Sequence, residues 1–284
     1  MSCPLRDDFL RDGFILLRGG IPLPLLEELR SGLAPILAHR GLGRIGTLRH
    51  QTILEPSSYH PSFKEFLDLP RLNRAAAAVI DSTDIAFAGL GVLIGSADHR
   101  VCRWHRDFKD GYPELPALLK RHHADFIQFN CALYDDLSLW VVPGSHRRAS
   151  TPGESAFSAR FDVVGFNGTY EQARAIDPDP LSGMPGAINV VLAAGDCVLY
   201  NPLLWHAAEY RPEWIRTTLH GGWRKTEMMY AFEAMRWGLE HNPWLLEPSY
   251  LGDAGTFLGP QLARYAEAVR HFHPELTAPA HATG

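Results

Sequence analysis

Two residues with metal-binding side chains lie close together in the segment RWHRDF, residues 103–108. His105 and Asp107 are separated by one residue, so on an extended backbone their side chains point to the same side. An imidazole and a carboxylate placed in this way can give one metal ion two adjacent ligands. His-Xaa-Asp triplets also occur by chance, and a structural or surface role for this pair is the alternative.

A third candidate ligand, His206, lies far along the chain in the segment GDCVLYNPLLWHAA. We interpret Cys197–Tyr200 as a buried strand and His206 as the end of the next short apolar run. His206 can join His105 and Asp107 only through the fold. Two histidines and one carboxylate on one face of an ion leave its other positions open, as in non-haem iron oxygenases. The same three donors also suit zinc in a hydrolase.

Arg216 and Thr218 follow on the next predicted strand, where alternation places them on one face. An arginine that faces the inside of an apolar barrel is costly unless its charge is paired. A bound carboxylate would pair it, because the guanidinium donors match that group. A protein acid such as Asp196 or Glu209 is the equally open alternative.

The elements that must position these side chains change in character after Asp84. Before it, apolar periodicity and helix-starting prolines predict a mainly helical support over residues 1–84, with Gly13 separating a first helix from a short strand. Beyond it, residues 85–223 carry short β-like runs bounded by Gly, Pro and Asp, which predict a β-barrel or two-sheet jelly roll. The predicted strands are Ile85–Ile94, Arg100–Trp104, Phe126–Tyr134, Leu139–Val142, Ala187–Leu192, Cys197–Tyr200 and Trp214–Trp223.

Three further segments complete the predicted organisation. Residues 150–185 are rich in Gly, Pro, Ser and Asp, and they interrupt the strands as an insertion that we expect to cover the pocket. Residues 227–272 are predicted to be mostly helical, and residues 273–284 to form a frayed tail. No linker separates two parts of the chain, so we expect a single domain over residues 1–284.

Composition limits the classes of function. The chain has 284 residues, 46% of them hydrophobic, and a formal net charge of −5, which argues against a nucleic-acid partner. No apolar run is long enough to span a membrane, and no signal peptide is evident at the N-terminus. The four cysteines include no CxxC pair, which favours a reduced, cytoplasmic protein.

Taken together, these segments resemble the phytanoyl-CoA dioxygenase family of iron(II)/2-oxoglutarate-dependent oxygenases. FLRDGFILLRGGIPLPLLEELRSGL resembles the N-terminal strand and helix of that family, WHRD its His-Xaa-Asp motif, VVPGSHR its mid-barrel turn, and GDCVLYNPLLWHAA its second-histidine strand. The stretch before the turn reads YDDLSLW, where the family commonly has an Asn-Gly pair, so this pocket wall differs.

The resemblance implies a mostly β fold with flanking helices, built on a double-stranded β-helix (jelly-roll, cupin-like) core. It implies Fe(II) held by His105, Asp107 and His206, with 2-oxoglutarate and O2 as co-substrates. Arg216 with Thr218 resembles the pair that holds the far carboxylate of 2-oxoglutarate. Gln128 shares a strand face with Asn130, and we predict it as a pocket residue that binds 2-oxoglutarate or substrate; pairing with the backbone is the alternative.

The predicted function is therefore hydroxylation of an unactivated C–H bond of a small soluble metabolite, with release of succinate and CO2. A zinc-dependent hydrolase that uses the same His-Asp-His site is one alternative. A cupin-like binding protein that has lost turnover is the other. The sequence leaves the oligomeric state open.

Overall fold

Two antiparallel sheets form the centre of the structure, a computed structural model that describes residues 4–40, 49–50, 53–108, 113, 115–230, 243–272 and 274. In this part of the chain the strands are β1 (Phe14–Leu17), β2 (Arg49–His50), β3 (Ile85–Ile94), β4 (Arg100–His105), β5 (Phe126–Ala132), β6 (Asp136–Val141), β7 (Asn167–Thr169), β8 (Ile188–Leu192), β9 (Cys197–Tyr200), β10 (His206–Tyr210) and β11 (Thr217–Lys225). The larger sheet has the order β1-β9-β5-β11-β3-β2 and the smaller one β7-β4-β10-β6-β8. Most neighbouring strands are distant in sequence, as expected for a jelly roll, and the predicted fold class is confirmed.

Helices precede, interrupt and follow the strands. Their bounds are α1 (Pro4–Asp12), α2 (Leu23–Arg40), α3 (Pro61–Leu67), α4 (Pro70–Ile80), α5 (Leu115–Arg121), α6 (Pro152–Ala159), α7 (Tyr170–Ile176) and α8 (Leu258–Phe272). Pro61 and Pro70 occupy first helical positions, where a missing N–H costs nothing. Gly13 takes the positive φ of +83° that separates α1 from β1, as its position in the sequence predicts.

The main hydrophobic core lies between the helices and the larger sheet. Phe66 of α3 packs edge-on against Phe129 of β5, with ring centroids 5.7 Å apart, and Phe129 in turn contacts Trp223 of β11 at 4.9 Å. The indole of Trp223 donates a 2.8 Å hydrogen bond to Gln261 of α8. Because helices support this sheet from outside, its other face is free to line a cavity.

Several predicted boundaries shift in the structure. The last barrel strand begins at Thr217 rather than Trp214, and the strand predicted from Leu139 begins at Asp136. His206 starts β10 rather than ending an apolar run. The 150–185 segment contains regular elements: the helices α6 and α7 and the strand β7, which pairs with β4.

The C-terminal part is only partly helical in the described residues. Short 3-10 turns at Thr226–Tyr230, Pro243–Leu246 and Pro248–Leu251 precede α8. Residues 231–242 and nearly all of the predicted tail lie outside the described residues, and the single domain over residues 1–284 stays a prediction. None of the helices within the described ranges has the length and apolar character that crossing a membrane requires.

Candidate active site

The three predicted metal ligands meet at the junction of β4 and β10. His105 and His206 lie directly opposite each other in the antiparallel pair, and their ring centroids are 4.1 Å apart. Asp107 follows β4, and its backbone N–H donates to the carbonyl of Pro202 at 3.0 Å. Oδ1 of Asp107 is 3.7 Å from Nε2 of each histidine. The fold thus brings together side chains that the sequence holds far apart.

Backbone carbonyls fix the orientation of both imidazoles. Nδ1 of His105 lies 2.8 Å from the carbonyl of Arg103, and Nδ1 of His206 lies 2.8 Å from the carbonyl of Leu204. A carbonyl can only accept, so each Nδ1 carries a proton and Nε2 is the ring nitrogen left to bind a metal. Burial and the neighbouring His206 lower the pKa of His105 to about 3, so this ring is neutral at physiological pH.

The donor set fits a divalent metal ion. One ligand atom from each of His105, Asp107 and His206 lies within 4.8 Å of the other two. Two imidazole nitrogens and a carboxylate oxygen on one side of an ion form the facial arrangement that leaves coordination positions open. The carbonyls behind the imidazoles are the hydrogen-bonded support that metal-binding histidines normally have.

Arg106 lies between two of these candidate ligands, and sequence reasoning missed its role. Its side chain turns away from the cavity and is buried, with Nη1 donating to the carbonyls of Ser145 and Leu203 at 2.8 and 2.7 Å. Nη2 reaches the carbonyl of Arg148 at 3.3 Å. The guanidinium therefore ties the His105–Asp107 segment to the segment that leads into His206. Its position in the sequence could have indicated this role, because a residue between two ligands that face the cavity must point the opposite way.

The turn in VVPGSHR supports the same segment. The Oγ of Ser145 accepts a hydrogen bond from the backbone of Trp205 at 2.8 Å and donates to the carbonyl of Val142 at 2.7 Å. The N–H of Val142 donates to the carbonyl of Trp205 at 2.9 Å. This turn therefore fixes the backbone immediately before His206.

The candidate ligands line a cavity of about 480 Å³ between the two sheets. Part of its wall is aromatic: Phe166 meets the ring of His105 edge-on at 4.7 Å, and Phe108 meets Phe126 at 5.6 Å. Phe166 comes from the 150–185 segment, so this segment contributes to the cavity wall; that it covers the pocket stays a prediction. In the part of the chain that the structure describes, the charged side chains that line the cavity are Arg49, Asp107, Arg216 and Arg224.

Arg216 reaches this cavity and is paired on one side only. Its Nε donates to Oδ2 of Asp136 at 3.2 Å, and its guanidinium centre lies 4.8 Å from the ring of Tyr210. Nη1 is buried and has no hydrogen-bond partner among the described residues. Although burial opposes the charge, Asp136 and Tyr210 hold the pKa of Arg216 above its usual value. The structure therefore leaves a charged donor for which a bound carboxylate is a matching partner.

The acid that pairs with Arg216 is not one that the sequence suggested. Asp196 instead accepts from Arg18 at 2.6 Å, and Glu209 lies 2.8 Å from Nε2 of His99. Asp136 belongs to the YDDLSLW stretch, where the family's usual Asn-Gly pair is missing. The Arg216 guanidinium and hydrogen-bond donors from Thr218 and Ser138 lower the pKa of Asp136 against the effect of burial.

Thr218 and Gln128 lie at the site in different surroundings. The hydroxyl of Thr218 donates to Oδ2 of Asp136 at 2.6 Å and is fully buried, so it holds the acid that holds Arg216. Gln128 lines the cavity, and its amide donates to Oδ2 of Asp107. The predicted contacts of both residues with 2-oxoglutarate stay predictions.

The architecture and the donor set define a class of protein, the cupin-like oxygenases that use non-haem iron. The sequence matches the phytanoyl-CoA dioxygenase (PhyH) family over residues 9–211, and the chain belongs to that family. It is accordingly an enzyme of the iron- and 2-oxoglutarate-dependent oxygenase type.

Solved structures with a similar fold agree in architecture at low identity. The non-haem α-ketoglutarate-dependent epimerase SnoN from nogalamycin biosynthesis is 17% identical, with 78% of this chain and 80% of that one covered and a TM-score of 0.53. EctD from S. alaskensis, solved with 2-oxoglutarate and 5-hydroxyectoine, is 15% identical over 80% and 77% of the two chains, with a TM-score of 0.53. HygX from Streptomyces hygroscopicus, with nickel and 2-oxoglutarate bound, is 18% identical over 80% and 88%, with a TM-score of 0.54. No curated protein matches the sequence.

Proposed function

We propose that the protein hydroxylates an unactivated C–H bond of a small soluble metabolite and converts 2-oxoglutarate and O2 to succinate and CO2. The observation that carries the proposal is the pairing of two features in one cavity. The His105–Asp107–His206 cluster offers three ligands to one ion, and Arg216 offers a buried guanidinium nitrogen without a partner among the described residues. A metal and a dicarboxylate would satisfy both features at once.

Each residue then has a defined task. His105, Asp107 and His206 hold Fe(II), and the carbonyls behind both imidazoles keep Nε2 directed at it. Gln128 donates to Oδ2 of Asp107, which leaves Oδ1, the oxygen nearer both histidines, for the ion. The bound iron supplies the oxidising chemistry that removes hydrogen from carbon.

The co-substrate carboxylate is bound at the other end of the site. Arg216 donates from Nη1 to the far carboxylate of 2-oxoglutarate, while Asp136 fixes the guanidinium from its Nε side. Thr218 holds Asp136 in place and so acts through Arg216 in addition to any direct contact. The aromatic wall formed by Phe108, Phe126 and Phe166 keeps water from the reacting carbon.

The first test follows succinate. Protein purified without O2 and loaded with Fe(II) and 2-oxoglutarate should form succinate when O2 is admitted, and substrate should then be sought among metabolites that accelerate this turnover. The product should be heavier than the substrate by one oxygen atom. His105→Ala and Asp107→Ala should abolish succinate formation, whereas His271→Ala, an exposed histidine on α8, should leave it unchanged.

A second measurement isolates the co-substrate site. Adding 2-oxoglutarate to the anaerobic Fe(II) protein should produce a visible absorption band, and Arg216→Gln should raise the 2-oxoglutarate concentration needed by about tenfold or more, because a charge-assisted pair is lost. Neither a new band nor any succinate from the wild-type protein would rule the proposal out.

A further inference from the structure

Arg224, near the end of β11, lines the cavity but has no role in binding metal or 2-oxoglutarate as proposed above. It is half-buried and forms neither an ion pair nor a hydrogen bond with any described residue. Nζ of the neighbouring Lys225 lies 2.7 Å from Oδ1 of Asp125, so that nearby acid is paired with Lys225. Burial lowers the pKa of Arg224 to about 10, opposed only by Tyr265, so the side chain stays charged at neutral pH. A desolvated cation that has no acid beside it among the described residues is stabilised by binding an anion.

The register of β11 places Arg224 on the opposite side of the metal cluster from Arg216. Arg216 directly precedes this strand of 9 residues, so the Cα atoms of the two arginines are roughly 25 Å apart. Gly222 pairs with Gln128, whose amide contacts Asp107, and this level of the strand lies beside the metal cluster. Arg224 pairs with Phe126, one step further along the same face.

Arg49 belongs to the Arg216 end. It pairs with Leu93 of β3, which on its other side pairs with Thr218, so Arg49 and Thr218 share one row of the sheet.

The sum of the charges in the loaded site also bears on the role of Arg224. With a divalent ion and the two carboxylates of 2-oxoglutarate bound, the acids Asp107 and Asp136 are balanced by Arg216 and Arg49. Among the described residues of the site one positive charge is then in excess, and Arg224 lies at the end of the cavity away from Asp136 and the proposed 2-oxoglutarate site. A substrate with one anionic group would neutralise it.

We infer that Arg224 binds an anionic group of the substrate, and that the substrate is a small amphiphilic carboxylate or phosphate ester whose apolar part contacts Phe108, Phe126 and Phe166. This inference rests on the proposed function for the assignment of the Arg216 end to 2-oxoglutarate. The guanidinium fork binds either anion in two parallel hydrogen bonds, and the aromatic wall places the reacting carbon between Arg224 and the metal.

The test compares charged and neutral forms of the same probe. Calorimetry on protein loaded with Ni(II) and saturating 2-oxoglutarate, which needs no turnover, measures 3-phenylpropionate against 3-phenylpropionamide and 2-phenylethyl phosphate against 2-phenylethanol. We expect the acid of at least one pair to bind about tenfold more tightly than its neutral partner. The pair that shows the preference identifies the anion as carboxylate or phosphate.

Variants assign the preference to Arg224. Arg224→Gln should abolish it and Arg224→Lys should retain part of it, whereas Arg174→Gln, an equal charge change on the exposed face of α7, should leave it intact. Equal binding of acid and neutral partner in both pairs, including no binding at all, overturns the inference, and so does a preference that survives Arg224→Gln. Failure of the proposed function would appear separately, as wild-type protein that neither binds 2-oxoglutarate nor forms succinate.

Discussion

Replacing Arg106 by methionine should weaken metal binding although Arg106 does not touch the metal cluster. The guanidinium holds the carbonyls of Ser145 and Leu203 at 2.8 and 2.7 Å, and Leu203 lies three residues before His206. Methionine fills a similar volume but donates nothing, so the segment leading to His206 loses its side-chain hydrogen bonds to the His105–Asp107 segment and keeps only the backbone ones.

The expected size follows from the bonds that are removed. A hydrogen bond to a charged group contributes about 1.5–3 kcal/mol, and two short ones are lost here together with a longer one to Arg148. Methionine avoids the cost of burying the guanidinium charge, which offsets part of the loss. We therefore expect the free energy of unfolding to fall by about 2–4 kcal/mol. Loss of support behind metal ligands should raise the metal dissociation constant by about 10-fold to 100-fold.

Two measurements separate stability from positioning. Urea unfolding of the metal-free protein gives the change in the free energy of unfolding, and competition with a chelator of known affinity gives the metal dissociation constant. Arg106→Lys should fall between wild type and Arg106→Met in both, because an ammonium can still donate to the carbonyls that Nη1 binds but lacks the planar guanidinium geometry and the second nitrogen that reaches Arg148.

Arg148→Met is the matched control. It removes a guanidinium that binds Glu154 at 2.7 and 2.5 Å and leaves that buried carboxylate unpaired, so it should also reduce stability. It breaks no side-chain contact to the segments that carry the ligands, so metal affinity should stay near the wild-type value. If Arg106→Met weakened metal binding no more than Arg148→Met does, the positioning argument would be wrong.

Three further predictions concern stability. Asp136→Asn leaves the buried Arg216 without its counter-charge, and urea denaturation should show a loss of about 3 kcal/mol; unchanged unfolding would contradict the buried pair. Burial lowers the pKa of His146 to about 3, so below pH 6.5 the unfolded chain binds a proton that the folded chain does not, and stability falls by about 1.4 kcal/mol per pH unit. Between pH 6.5 and 5 that loss amounts to about 2 kcal/mol, and His146→Leu should remove it from the pH dependence of urea unfolding; an unaltered slope would refute this. Gly222→Ala would place a Cβ 2.4 Å from the carbonyl of Ile127 and should cost more than about 2 kcal/mol in thermal unfolding, whereas Gly259→Ala, whose nearest neighbour is 3.7 Å away, should not destabilise.

The sequence predicts best where the cause is local. A glycine that needs positive φ separates α1 from β1 at Gly13, and prolines begin α3 at Pro61 and α4 at Pro70. The spacing of His105 and Asp107 also operates locally, because one intervening residue keeps two side chains on one side of an extended backbone. These features depend on the preferences of a few neighbouring residues, so they can be read without the fold.

The features that sequence reasoning missed depend on pairing between distant strands. Asp136 reaches Arg216 because β6 and β11 belong to facing sheets, and nothing near either residue in the sequence indicates the other. The strand β7 forms because it pairs with β4 and so becomes the edge strand of the smaller sheet. Asn167–Thr169 has the composition of a turn, so local propensity gives no indication of the strand that tertiary pairing makes there.

An irregularity in β4 explains why the metal cluster and Cys102 share one cavity. His206 pairs with His105 and Ala208 with Cys102, so β4 contains one more residue than β10 between these two pairs. Strict alternation would put Cys102 and His105 on opposite faces, yet both line the cavity. The extra residue is a β-bulge, which resets the alternation between Cys102 and His105 and sends Trp104 into the core behind the sheet. A regular strand would send either His105 or Cys102 away from the cavity. The bulge is therefore the local distortion that lets an antiparallel sheet direct two histidines from adjacent strands, together with the aspartate that follows, at one point.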